Sequence, residues 1–430
     1  MRKCLVCLLA FGCAAVLSAA VPSISSVVLS DQGADGRVTV SYNLSVDAIV
    51  TCEMLVDGVP VSGKSLTTLV GDVNRRISAG NGRSIAWSPI LDGVNVSGKV
   101  KAKLRAWPLD NPPDYMAVEL TVKNCRTYYA SSNEIPYGVD SDIYRYSRML
   151  MRRIPAKDIV WRMGQPYPDG EPSNDRAANL NNETGHMVKL TNDYYMAVFQ
   201  MTQRQYFRIM NSWPGINTGD DRPLTPVSQV AYDTLRGTVS SSFAGWPAAG
   251  HAVAPGSVFA VMRDLTGIDS LDLPTEAEWE YACRAGTGTQ LNIGVDCKDT
   301  VSGHADANYA KVGWSKYNAP KREKHAPVGL KLPNAWGLYD MHGNANDFCL
   351  DWWCGGDDYR ATFASGWETG AVTVAPTGPA SGSNRVARGG DWFYGSSWAR
   401  SASRQLSAVP TVTSYHYSFR PVCRIDTEAR

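Results

Sequence analysis

The residues best placed to do chemistry cluster near the C-terminus, in RVARGGDWFYGSSWARSASRQ (385–405) and TVTSYHYS (411–418). In the first stretch Gly389 and Gly390 follow Arg388, the pattern of a rigid turn. Trp392, Trp398, Arg400 and Arg404 follow as anchors. No evident nucleophile, general acid, general base or soft metal ligand stands between them. What remains is Trp392, Tyr394, Ser396, Ser397, Trp398, Arg400 and Arg404, joined by Tyr415 and Tyr417. Tyr and Trp give contact area at low entropic cost, and Ser and Gly give adjustable hydrogen bonds, so this is the composition of an adaptable binding surface. The two arginines suit acidic or planar groups on a ligand, or carbonyls of their own loop. The two tryptophans fit a core and a surface equally well.

Other chemistries are poorly represented. GVPVSGKS (58–65) matches the phosphate-loop pattern GxxxxGK[ST] in form. That mechanism needs a helix after the loop, and the LTTLVGDV that follows is rich in β-branched residues. Asp57-Gly58 reads instead as a hairpin turn. The six histidines (His186, His251, His304, His325, His342 and His416) are scattered, with no HxxxH or HExxH spacing. With 42 basic and 41 acidic residues well mixed, net charge +1, nucleic acid is not an expected partner.

The elements that must position the C-terminal residues fall into two parts. Residues 1–20 read as a signal peptide: Met1-Arg2-Lys3, a 14-residue apolar run, then Ser18-Ala19-Ala20. Export to the periplasm, cell surface or medium is expected, without membrane insertion of the mature chain. Residues 21–125 alternate apolar and polar in RVTVSYNLSV, AIVTCEMLVDG, RSIAWSP and KVKAKLRAWPL, which predicts an all-β, immunoglobulin-like sandwich. Residues 126–150 read as a connector, and 151–430 as an α+β domain with long loops. Capping boxes at Thr202/Gln205 and Thr275/Glu278 start two helices, the first placing Tyr206, Phe207 and Met210 on one face. A third runs from Ser257 to a stop at Gly267. Seven cysteines follow the leader: Cys52, Cys125, Cys283, Cys297, Cys349, Cys354 and Cys423. In an oxidising compartment most could pair, Cys52 with Cys125 first if both lie in the sandwich. Trp279 and Cys283 are expected in the core.

Several ordered blocks resemble the formylglycine-generating enzyme (sulfatase-modifying factor) family. They are IPAKDIVWRMG (154–164), VKLTNDYYMAVFQMTQRQYFRIM (188–210), LPTEAEWEYACRAGT (273–287), APVGLKLPNAWGLYDMHGNANDFCLDWW (326–353) and RVARGGDWF…SFRPV (385–422). The resemblance implies a formylglycine-generating enzyme / C-type lectin-like domain with low regular secondary structure. It also implies oxidation of a sulfatase cysteine at two copper-binding cysteines. The matching positions here are Tyr394 and Ala399, so copper is not expected and no catalytic residue is assigned. A calcium site is implied at Asp340, Gly343, Ala345 and Asp347, with Asp340 and Asp347 where the family carries Asn and Glu. Carboxylate and carbonyl oxygens on a glycine-containing loop suit that ion. A second calcium site would need an acidic residue before APVG, where PKREKH stands, despite a matching Asn308. The C-terminal composition also resembles the variable proteins of diversity-generating retroelements. The expectation is an exported pseudoenzyme that binds a protein or glycan ligand. The alternatives are a family oxidase using other ligands, or a cell-surface spacer.

Overall fold

The computed structural model describes residues 20–30, 36–96, 98–164, 182–214, 222–298, 306–319, 325–355 and 370–425. Residues 1–19, where a signal peptide is expected, and the basic stretch 320–324 lie outside them. The N-terminal part is a two-sheet β-sandwich. One sheet orders Ile24–Leu29, Val38–Leu44, Gly80–Trp87 and Val70–Gly71; the other centres on Ala48–Val56, paired along its length with Val100–Trp107. Strict alternation of burial along Val38–Leu44 points Val38, Val40, Tyr42 and Leu44 at Trp87, Met54 and Cys52. Asp57 and Gly58, at φ 51° and 81°, make the expected hairpin turn, and no helix follows the Gly58–Ser65 stretch.

The last strand of the stretch 21–125 joins a sheet of the second part. Strand Tyr115–Glu119 pairs with Arg126–Tyr129 on one side and with Arg148–Ile154 on the other, in a six-stranded sheet completed by Tyr194–Ala197, Val422–Arg424 and Leu271–Asp272. The expected connector at 126–150 therefore contains a strand, the short helix Ile143–Tyr146 and the start of another strand. Alternation alone cannot say which sheet a strand joins. The expected Cys52–Cys125 pairing does not form: Cys52 is sealed in the sandwich core, and Cys125 precedes a strand of the second sheet. Among the described residues all seven cysteines are free thiols.

The second part is α+β, mostly sheet with few helices, and its helices start as their caps predict. Both capping boxes are closed, over Gln203–Met210 and Glu276–Arg284, and Ser257 caps Val258–Thr266 before Gly267 at φ 65°. One face differs from expectation. Helix Gln203–Met210 buries Tyr206 and Ile209, whereas Phe207 stacks on Trp213 at 4.6 Å and Met210 is half-buried. Helix Glu276–Arg284 is buried at every residue, with Trp279 and Cys283 in the core. Its three glutamates therefore need internal partners. A four-stranded sheet, Gln405–Ala408, Arg385–Arg388, Asn346–Trp352 and Tyr417–Ser418, lies against this helix and carries the C-terminal segment.

Candidate functional site

Strand Arg385–Arg388 ends in Gly389 and Gly390 at φ 98° and 74°. A Cβ on Gly389 would stand 3.0 Å from the Trp279 ring, and one on Gly390 would stand 2.6 Å from the Ala399 methyl. Glycine is required at both positions, and the turn is rigid because its surroundings leave one path. Gly343 N donates to Gly389 O at 2.6 Å, tying the turn to the loop before Asn346–Trp352.

Beneath the turn lies a network of buried charge. Arg388 bonds Glu280 and the Ser403 carbonyl, and Arg284 Nε donates to Glu280 Oε1 at 2.8 Å. Burial alone would push the Glu280 carboxyl up, but Arg284 and Arg388 hold it below its usual range. Arg404 grips Glu276 at 2.6 and 2.9 Å and lies over the Trp353 ring, 4.7 Å from its centre. Arg400 grips Glu183 at 2.8 and 2.9 Å. Burial and then the charge of Glu276 push Asp351 up to about 7, and its Oδ2 accepts from Glu276 N at 2.8 Å. Arg400 and Arg404 are 1% and 6% exposed. They hold the loop from inside, so the structure does not present them to a ligand.

The outer side of the same segment is aromatic. Tyr394 and Trp398, both half-buried, stack at 4.5 Å with 16° between planes. Phe393 and Tyr415 are 45% and 42% exposed. Trp392, Ser396, Ser397 and Tyr417 lie below this layer, each less than a tenth exposed. The sequence-predicted residues thus divide: Tyr394, Trp398 and Tyr415 reach the surface, and the rest support it.

Asp391, His416 and Phe393 complete the face, and sequence reasoning missed all three. Asp391 is 1% exposed and fully engaged: it accepts from Phe393 N, Tyr394 N and Asn346 Nδ2 at 2.8, 3.2 and 3.0 Å, and meets His416 Nδ1 at 2.8 Å. The hydrogen bond to Asp391 raises the His416 pKa against the opposing effect of burial. His416 packs on Phe393 and Tyr394 at 5.5 and 5.7 Å between ring centres. Asp391 stands directly after the glycine pair, and His416 between two tyrosines. Those placements were the available signals.

Tyr394 and Ala399 leave no thiol on this face. Cys283 lies deeper, 3.7 Å from Ser401 Oγ and 4.0 Å from His342 Nε2, where burial pushes its thiol up to about 12. A protonated, enclosed thiol is a poor ligand for a soft ion. His342 is held neutral, with burial moving its pKa to about 4 while Nδ1 bonds the Ala399 carbonyl at 2.6 Å.

The loop ahead of Asn346–Trp352 carries the four predicted calcium ligands. Asp347 is already occupied: Trp279 Nε1 and Arg420 Nε reach Oδ2 at 3.0 and 3.1 Å, and Gln200 Nε2 reaches Oδ1 at 3.1 Å. Gln200 Nε2 also donates to the Ala345 carbonyl at 2.6 Å. Asp340 differs. Its Oδ2 accepts from Gly329 N at 2.7 Å, while the buried Oδ1 has no hydrogen-bond partner, nor has Gln200 Oε1. Burial, with the charge of Asp347 adding, pushes Asp340 up to about 6. The unpartnered oxygens of Asp340 and Gln200, with the Asp347 carboxylate near both, are of the hard type that suits a calcium ion. No group of three or more His, Cys, Asp or Glu able to hold a metal occurs among the described residues, so backbone and amide oxygens would have to contribute.

With this geometry in place, comparison with known proteins is specific. Residues 157–425 match the sulfatase-modifying factor enzyme 1-like domain. The chain is 33% identical over 153 residues to the formylglycine-generating enzyme of Thermomonospora curvata, covering 34% of this chain and 48% of that protein. It is 32% identical over 152 residues to the formylglycine-generating enzyme of Mus musculus, covering 34% and 38%. It thus spans less than half the length of these relatives. Among solved structures, Treponema denticola variable protein 1 aligns over 64% of this chain and 95% of its own, with 22% identity and TM-score 0.45. The structure of PvdO from Pseudomonas aeruginosa aligns over 64% and 94%, with 20% identity and TM-score 0.45. The matched span takes in the helix Glu276–Arg284, the glycine turn and the final strand, and the chain belongs to the sulfatase-modifying factor enzyme 1-like domain family.

Proposed function

We propose that this chain is an exported, ligand-binding member of its family that does not generate formylglycine. The observation that carries this reading is the pair Tyr394 and Ala399. Two relatives are named for a reaction that, in this family, needs a thiolate pair at these positions. Here one position holds a ring stacked on Trp398, and the other a methyl packed against Gly390. Aromatic rings around a polar His416–Asp391 pair suit recognition: the rings supply apolar contact, and His416 supplies a directional hydrogen bond. A protein or a glycan is the class of ligand this surface would take.

Calcium belongs to the same proposal as a structural ion. Asp340 and the Ala345 and Gly343 carbonyls would hold it, with Asp347 alongside, and the ion would supply the positive charge that the buried Asp340 oxygen lacks. Its role would be to fix the loop that carries Asn346, and through it Asp391 and His416.

The test is incubation of the purified protein with copper, oxygen and a sulfatase-type cysteine peptide, read by peptide mass. No formylglycine is expected, and clear turnover would establish the oxidase reading instead.

A further inference from the structure

Away from the aromatic face, the sandwich and the second part meet along a cleft of about 660 Å³. Four arginines line it from three places: Arg75 and Arg76 on the sandwich strand, Arg126 at the head of Arg126–Tyr129, and Arg424 in the last strand. One acidic residue, Asp269, is in the lining. In a chain with 42 basic and 41 acidic residues, four against one is a strong local excess.

The four are not equally engaged. Arg424 is tied to Glu278 at 2.6 and 3.1 Å. Arg75 and Arg76 reach Asp72 at 3.2 Å and Asp47 at 3.4 Å, with side chains more than half exposed, so those pairs are weakly held. The Arg126 side chain is exposed and makes no ion pair or hydrogen bond among the described residues. Its charge is nonetheless central. Burial pushes the Tyr128 hydroxyl and the Cys423 thiol up; Arg126 and Arg76 oppose the first shift, and Arg126 and Arg424 oppose the second. The guanidinium groups are therefore neighbours along a floor that includes Tyr128 and Cys423. Like charges gathered at the edge of a low-dielectric cleft raise its positive potential and favour an incoming anion. The guanidinium fork matches sulfate and phosphate oxygens, and the volume falls in the range of about 300–1,000 Å³ usual for small-molecule sites.

We propose that this interdomain cleft binds a compact polyvalent oxyanion: a sugar carrying two or more sulfate or phosphate groups, held chiefly by Arg126 with Arg76 and Arg75. The site is separate from the aromatic face and does not depend on what that face binds. Titration calorimetry on the full chain tests it, with sucrose octasulfate and myo-inositol hexakisphosphate as probes, at low salt and at about 0.15 M salt. One saturable site is expected, and the tighter probe tells sulfate from phosphate. Arg126→Ala should weaken binding about tenfold and Arg76→Ala by less, with unchanged melting because both residues are exposed. Lys101→Ala, exposed on Val100–Trp107 and outside the cleft lining, should bind as wild type. Absence of saturable binding for both probes would overturn the proposal. So would an equal loss in Lys101→Ala and Arg126→Ala, which would mean diffuse surface charge.

Discussion

The two sides of the segment 385–405 are built on opposite principles. Inward, Arg388, Arg400 and Arg404 are buried against Glu280, Glu183 and Glu276. Outward, Phe393, Tyr394, Trp398 and His416 form a layer of rings held by stacking and by Asp391. The inner side depends on partners more than a hundred residues away and tolerates little. The outer side depends mainly on its immediate neighbours. A fold arranged this way can keep its frame while the residues it displays change, and a displayed thiol can become a ring without disturbing the charges below.

The comparison breaks most readily from the inside. Arg388→Ala leaves Glu280 and Glu276 without a guanidinium they share, and removing one partner of a buried pair costs about 3–5 kcal/mol. Urea unfolding should show a loss of that size, and an unchanged midpoint would mean the network does not hold the turn. Calcium comes next. If Asp340 takes the ion, chelation should lower the melting midpoint by several degrees, since saturation at about a hundred times Kd contributes about 2.7 kcal/mol. A midpoint indifferent to chelator would remove calcium from the account. The outer side should give the smallest stability effect: Trp398→Ala loses a stacked pair worth about 0.5–1.5 kcal/mol, plus part of its burial. A loss as large as that of Arg388→Ala would erase the distinction between frame and face.

How much was legible in the sequence follows the range of each interaction. Thr202 with Gln205 and Thr275 with Glu278 act three residues apart, and both helices begin where those pairs say. The Gly389-Gly390 turn was legible because its conformation is written in residue type. Arg400 was not, because Glu183 lies 217 residues away and an arginine beside Ser and Trp looks the same whether it faces in or out. The sheet that Tyr115–Glu119 joins was hidden for a similar reason, because its partner Arg148–Ile154 lies some thirty residues further along the chain. His416 has no metal-type spacing to mark it, and the Asp391 that holds its Nδ1 stands 25 residues earlier.

The proposed function treats Tyr394 and Ala399 as replacements for a copper-binding cysteine pair on a retained frame. Cu(I) binding tests it most directly, by competition with a coloured chelator under reducing conditions, in the wild type and in Tyr394→Cys/Ala399→Cys. No retained copper is expected in the wild type and about one equivalent in the double variant, whose paired thiols would suit a soft ion on an intact frame. One equivalent of tightly held Cu(I) in the wild-type protein would contradict it.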